Sequence, residues 1–258
     1  FHYTIVLSDD IAPPLDYDFK SEYFVKKKSA WYYDRKIFFF NPLFKYDTSK
    51  RIFYFNKTYF FLPFRVGSTL TAGEHISNMI ELDLFLDGYT ILRGIAFQKN
   101  GRSIGISGPG FNGKTTILKK MLKSGCKYIA EDYLVLDLPK KRVYLTCPLM
   151  QENIWRNRKI NGELRELINN NNFLNESLNL SQLYLYQNTQ NSQYKTGKKK
   201  IIDFLLLNSL YFLDNLFIRS YLYEEGLTEK IFNRINELRE MDIDYQFLKV
   251  YNFNFDLI

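Results

Sequence analysis

The chain has 258 residues, enough for one large or two small domains with a sizeable core. Its formal net charge of +7 suits anionic ligands, and no stretch reaches about eighteen uncharged apolar residues, which argues against a membrane-spanning helix. Cys126 and Cys147 are the only cysteines; with two histidines they lack the ligand spacing of a structural zinc site and read as buried reduced thiols of a cytoplasmic protein. The start, Phe1-His2-Tyr3, lacks the shape of a signal peptide.

Aromatic residues make up 17% of the chain, and runs such as Trp31-Tyr32-Tyr33 and Phe38-Phe39-Phe40 crowd its first part. With turn signals at Ala12-Pro13-Pro14, Asn41-Pro42 and Asp47-Thr48-Ser49-Lys50, residues 1–68 are expected to form a β-rich region ahead of a core spanning 69–258. Lys26-Lys27-Lys28 reads as a solvated strand end. Ile76, Met79, Ile80, Leu82, Leu84, Phe85 and Leu86 have partly helical spacing and predict a helix from about Gly73 to Leu86, stopped at Asp87-Gly88, with His75 on its surface near the start.

Ile91 to Phe97 and Ser103 to Ile106 then read as strands of a hairpin turning at Asn100-Gly101. The run Gly108-Pro109-Gly110-Phe111-Asn112-Gly113-Lys114-Thr115 fits the phosphate-binding pattern G-x-x-x-x-G-K-[ST] at every constrained position. Its glycines let backbone N–H groups converge on phosphate oxygens, Lys114 adds a point charge, and Thr115 offers a hydroxyl to Mg²⁺. The candidate nucleotide contacts are Gly108, Gly110, Asn112, Gly113, Lys114, Thr115 and Thr116. A helix from Thr116 to Lys123 follows, closed at Gly125. Lys127 to Ala130 reads as the next strand, parallel to the one before the loop, and it ends in Glu131-Asp132 on the phosphate side. Two acids there can divide the labour of phosphoryl transfer, one joining Thr115 on the metal and the other taking the proton of an attacking hydroxyl; Glu131 is the metal-side candidate and Asp132 the candidate base, with the reverse division open.

This layout of strand, hairpin, strand, phosphate loop, helix and Gly125-Cys126-Lys127-Tyr128-Ile129-Ala130-Glu131-Asp132 resembles the HPr kinase/phosphorylase-like family, P-loop kinases whose core is related to that of phosphoenolpyruvate carboxykinase. The resemblance covers roughly residues 70 to 145. It implies an α/β fold with that kinase core, ATP and Mg²⁺ as cofactors, and transfer to a serine hydroxyl of a protein or a ribosomally made peptide. Two departures stand out. Arg93 occupies the place of a family histidine; it can contact a phosphate but cannot act as a base near neutral pH. Glu131 replaces the first aspartate of the family's acid pair.

Downstream, Tyr133 to Leu136 and Val143 to Leu145 read as a second hairpin. Arg156, Arg158, Lys159 and Arg165 beside Trp155 read as a solvated amphipathic helix. Asn169 to Gln193 reads as a polar mobile loop or insertion that ends in a lysine-rich loop, Lys195 to Lys200, an exposed charge run with closure over phosphates as the alternative. Ile201 to Leu207 reads as a buried strand, and Glu224 to Leu238 as a helix. A kinase for a small-molecule alcohol and a nucleotide-sensing regulator without transfer remain alternatives; a nucleic-acid binder rests on charge alone and ranks last.

Overall fold

Strands with period-two aromatic patterning open the chain, and the phosphate-loop pattern marks where helices begin to alternate with strands. The computed structural model describes residues 2–33, 35, 41–61, 70–108, 113–146, 158–169, 177–187, 198–242 and 248–252. In chain order the elements are β1 (Thr4–Leu7), β2 (Phe19–Lys20), β3 (Phe24–Lys27), β4 (Ala30–Tyr33), β5 (Phe44–Asp47), β6 (Ile52–Phe55), α1 (Lys57–Phe60) and α2 (Ala72–Leu86). Then come β7 (Thr90–Lys99), β8 (Arg102–Ser107), α3 (Lys114–Lys123), β9 (Lys127–Ala130), β10 (Tyr133–Asp137), β11 (Arg142–Tyr144) and α4 (Arg158–Asn169). The remainder is β12 (Leu178–Gln187), α5 (Lys198–Ser209), a 3-10 turn (Tyr211–Asp214), α6 (Leu216–Glu224), α7 (Thr228–Glu240) and β13 (Leu248–Asn252). Mixed α/β structure is thus established. Among the described residues no helix is long and apolar enough to cross a membrane.

The chain divides into two compact units, residues 1–82 with 212–229, and residues 83–211 with 230–258. The first unit holds a six-stranded sheet in the order β1-β6-β5-β4-β3-β2. One face of that sheet carries Trp31, Tyr33, Phe44, Tyr46, Phe53 and Phe55, all buried. Phe217 of α6 meets Phe44 at 5.2 Å and Trp31 at 5.8 Å, and His75 of α2 stacks on Phe44 at 5.0 Å. This explains why the division does not fall at residue 68: the aromatic face needs helical cover, and part of that cover arrives with residues 212–229. α2 begins with a capping box, in which Glu74 N–H donates to the Thr71 hydroxyl and Thr71 N–H to the Glu74 carboxylate. His75 is buried at 2% exposure, not on the surface, because the helix turns it toward the sheet. Lys26 likewise is no solvated strand end: it lies 3.0 Å from Glu225 and 3.3 Å from Glu224, with only 15% of its side chain exposed.

The second unit is built on a seven-stranded sheet ordered β10-β11-β12-β8-β7-β9, with β13 paired to β12. β10 also pairs with β7, so the ladders β7-β8-β12-β11-β10 close on themselves. Leu134 points into the tight interior: a Cβ on Gly94 would lie 2.7 Å from its Cδ1, and one on Gly105 would lie 3.7 Å away. The β7–β8 hairpin turns at Asn100 and Gly101, both with positive φ, as an Asn-Gly turn demands. β9 is antiparallel to β7, which is antiparallel to β8, so β9 runs parallel to β8 as the sequence predicts, with β7 between them.

Three downstream segments differ from expectation, one of them residues 198–200, which open α5 rather than lying in a loop. The asparagine-rich stretch contains β12, which pairs in parallel with β8; Leu180, Leu183 and Leu185 are buried, and a bulge between Leu180 and Gln182 keeps them facing inward. Ile201 to Leu207 lies in α5 rather than a strand: Ile201, Ile202, Phe204, Leu205 and Leu206 are buried, while Asp203 and Leu207, one turn apart, are exposed. Residues 188–197 fall outside the described residues, as do Cys147, Trp155 and Arg156.

Candidate active site

The site lies where β8, α3, β7 and the β9–β10 connection meet in the second unit. Gly113 takes φ +74° at the start of α3, a left-handed conformation that a side chain would strain, and no side chain caps the helix. The first amides of α3 are therefore available to an anion, reinforced by the helix dipole. Pro109, Gly110, Phe111 and Asn112 lie outside the described residues. Gly108 anchors the loop's first end, donating its N–H to Arg93 O at 3.3 Å and accepting the Lys114 ammonium at 2.9 Å. α3 is clamped from behind by Ile117, Leu118, Met121 and Leu122, which pack with Ile95, Phe97 and Tyr128. It ends in a Schellman motif: Gly125 at φ +87° donates to Leu122 O and Cys126 donates to Met121 O. That closure buries Cys126 and delivers the chain into β9.

β9 and β10 run one after the other along the same edge of β7, and Glu131-Asp132 is the break between them. The Tyr133 N–H reaches back to Glu131 O at 2.8 Å across Asp132, whose φ is +64°, so Asp132 is the central residue of a strained γ-turn. Gly94 N–H donates to Asp132 O at 3.0 Å and pins the turn to β7. A strained turn fixed on both sides holds two carboxylates together beside the helix start.

Glu131 is 8% exposed. Burial, helped by the neighbouring Asp132 charge, pushes its carboxyl up to about 7, against the Thr115 hydroxyl and the Lys119 charge. Burial raises Asp132 as well, while Arg93 and then Lys114 pull it back. Lys114 is lowered, by burial first, with Asp132 opposing that shift and Arg93 adding to it. Lys114, Thr115, Glu131, Asp132 and Arg93 are therefore within electrostatic reach of one another. Thr116 is exposed on the first turn of α3.

The donor set suits a hard cation. Glu131 and Thr115 offer oxygen ligands, and Mg²⁺ is commonly held by one or two carboxylates together with substrate phosphates and waters. Among the described residues no group of three or more His, Cys, Asp or Glu could hold a metal ion without such help. Two further residues contribute to the site. Tyr133 sits opposite Arg93 in the β7–β10 register, its ring centroid 4.5 Å from Arg93 Cζ, and Tyr211 approaches the same guanidinium at 5.1 Å. Tyr133 was findable as the residue after the acids; Tyr211, far along the chain, was not. The chain matches no protein-family model, and no curated protein is significantly similar to it.

Proposed function

We propose that the chain is an ATP-dependent kinase that phosphorylates a hydroxyl, and that its acceptor is a serine of a protein or of a ribosomally made peptide. The observation that carries the reading is the acid pair on its strained γ-turn, with the Thr115 hydroxyl of the phosphate-loop pattern favouring the charged form of Glu131. The serine acceptor is supplied by the resemblance to HPr kinase-like proteins.

In this reading the α3 amides and Lys114 bind the β- and γ-phosphates. Thr115 and Glu131 would hold Mg²⁺, which supplies charge neutralisation between the phosphates. Asp132 accepts the proton of the acceptor hydroxyl. The hydroxyl oxygen forms a new bond to the γ-phosphorus, the bond from that phosphorus to the β–γ bridging oxygen breaks, and ADP leaves with the electron pair.

Asp132→Asn tests the assignment. Asparagine keeps the shape and tolerates positive φ, so the γ-turn should persist. Phosphate transfer from labelled ATP into peptide, protein and metabolite pools should fall by about 10²-fold or more, with ATP affinity changed by less than about threefold. Tight ATP binding by a wild type that neither transfers nor hydrolyses would instead favour a nucleotide-sensing regulator. Label appearing only in the metabolite pool would move the acceptor to a small alcohol.

A further inference from the structure

Arg93 has a position that its place in β7 does not by itself require. Its guanidinium rests on two rings, Tyr133 at 4.5 Å and Tyr211 at 5.1 Å. Among the described residues it makes no hydrogen bond and no ion pair through its side chain. Among the described residues, none accepts from the five N–H donors of this half-buried group. The backbone beneath is fixed: Arg93 O accepts the Ser107 hydroxyl at 2.9 Å and the Gly108 N–H at 3.3 Å, tying this residue to the first glycine of the phosphate loop.

The charge arrangement is informative in the same way. Arg93 opposes the charge of Lys114 and favours that of Asp132. Asp132 is one carboxylate shared by two cations, so the group keeps a net positive charge that suits a phosphoryl group. A purely structural brace would explain the stacked faces of the guanidinium but not an edge that no described residue engages. Stacking on two rings restricts rotation of the side chain, so the planar fork is pre-organised for oxygens it meets edge-on.

We propose that Arg93 is an arginine finger supplied by the chain itself, which binds the non-bridging oxygens of the phosphoryl group while it passes from nucleotide to acceptor. Tyr133 and Tyr211 are its positioning residues. The inference rests on the kinase reading and extends it: Arg93 acts on the transition state rather than on the bound nucleotide. It forms no covalent bond and keeps its protons throughout. Charge spread over the equatorial oxygens during transfer is where such a group contributes most.

The experiment compares wild type, Arg93→Ala, Arg93→Lys and Tyr211→Leu in two measurements: steady-state transfer or hydrolysis of ATP, and binding of ADP with and without aluminium fluoride, the fluoride complex standing in for the transferring phosphoryl group. Arg93→Ala is expected to lower kcat by about 10³-fold while ATP affinity stays within about threefold, and to abolish the tightening of ADP by aluminium fluoride. Arg93→Lys keeps the charge but not the fork and should lose about 10²-fold, and Tyr211→Leu about tenfold, again in kcat. Added guanidinium should restore part of the Arg93→Ala rate, which no folding defect would allow. Equal losses in ATP affinity and in rate would make Arg93 a ground-state contact and overturn the inference. So would wild-type transfer rates in Arg93→Ala, with the kinase reading left standing. A wild type that shows neither turnover nor tightening by aluminium fluoride would overturn both.

Discussion

His75 gives the first unit a calculable sensitivity to acid. The imidazole is buried at 2% exposure among Phe24, Tyr33, Phe44, Tyr59 and Phe217, and its Nδ1 has no hydrogen-bond partner among the described residues. Burial lowers its pKa from 6.5 to about 4, and the Glu74 charge only partly opposes this. Above pH 6.5 the ring is neutral both folded and unfolded, and it adds no pH dependence. As pH falls below 6.5 the unfolded chain takes up a proton that the folded chain refuses, so stability declines until about pH 4, where the folded form protonates too and the loss levels off. At roughly 1.4 kcal/mol per pH unit, that interval amounts to about 3 kcal/mol. The assay is urea unfolding across this range, followed by the fluorescence of Trp31, which is fully buried in the same unit, in a Trp155→Phe background that removes the second tryptophan. His75→Leu, close in volume and without a proton to gain, should lose about 3 kcal/mol less than wild type between the two ends. Equal acid losses in the two proteins, or a His75 resonance titrating near 6.5 in the folded wild type, would refute the reasoning.

Gly94→Ala should be costly, since its Cβ would fall 2.5 Å from the Ile106 carbonyl oxygen and 2.7 Å from Leu134 Cδ1. A loss of about 3 kcal/mol or more, seen as a drop in Tm of about 6 °C or more, is expected, together with reduced transfer because Gly94 N–H holds the Asp132 turn. A Tm within a degree or so of wild type would show that the ladder shifts to make room. Glu225→Ala removes the acceptor of the buried Trp31 indole N–H, at 3.2 Å, and a partner of Lys26 at 3.0 Å. Urea unfolding should show a loss of about 2 kcal/mol, larger than for an exposed ion pair, and a change under about 0.5 kcal/mol would mean that Glu224 takes over both contacts.

What the sequence revealed depended on whether the signal was local. Gly113, Asn100-Gly101 and Gly125 sit at positions where the backbone demands positive φ, and each marked its turn correctly. The phosphate-loop helix and the parallel strand after it followed from those glycines and from helical spacing. The acid pair was legible as residues, but its γ-turn was not, because the turn is set by pairing of β9 and β10 to a strand some forty positions earlier. Asn-rich composition concealed β12, although alternation of Leu178 and Leu180, resumed at Leu183 and Leu185 across a bulge, was the available sign. α5 looked like a strand because its apolar run is nearly unbroken; only Asp203 and Leu207, a helical turn apart, betrayed its period. His75 was misplaced because the polarity of a residue says little about a helix whose buried face also carries Asn78 and Glu81.

The make-up of the first unit bears on how the chain matures during synthesis. Its aromatic sheet is complete by residue 55, yet Phe217 and Tyr221, which pack on Trp31, Phe44 and Tyr46, are translated more than a hundred and fifty codons later. For that interval α2 covers part of the aromatic face, and the part that Phe217 and Tyr221 occupy stays open. A fragment that stops after α2 would lack Phe217 and Tyr221 on that face, so it is expected to be less soluble than the full chain.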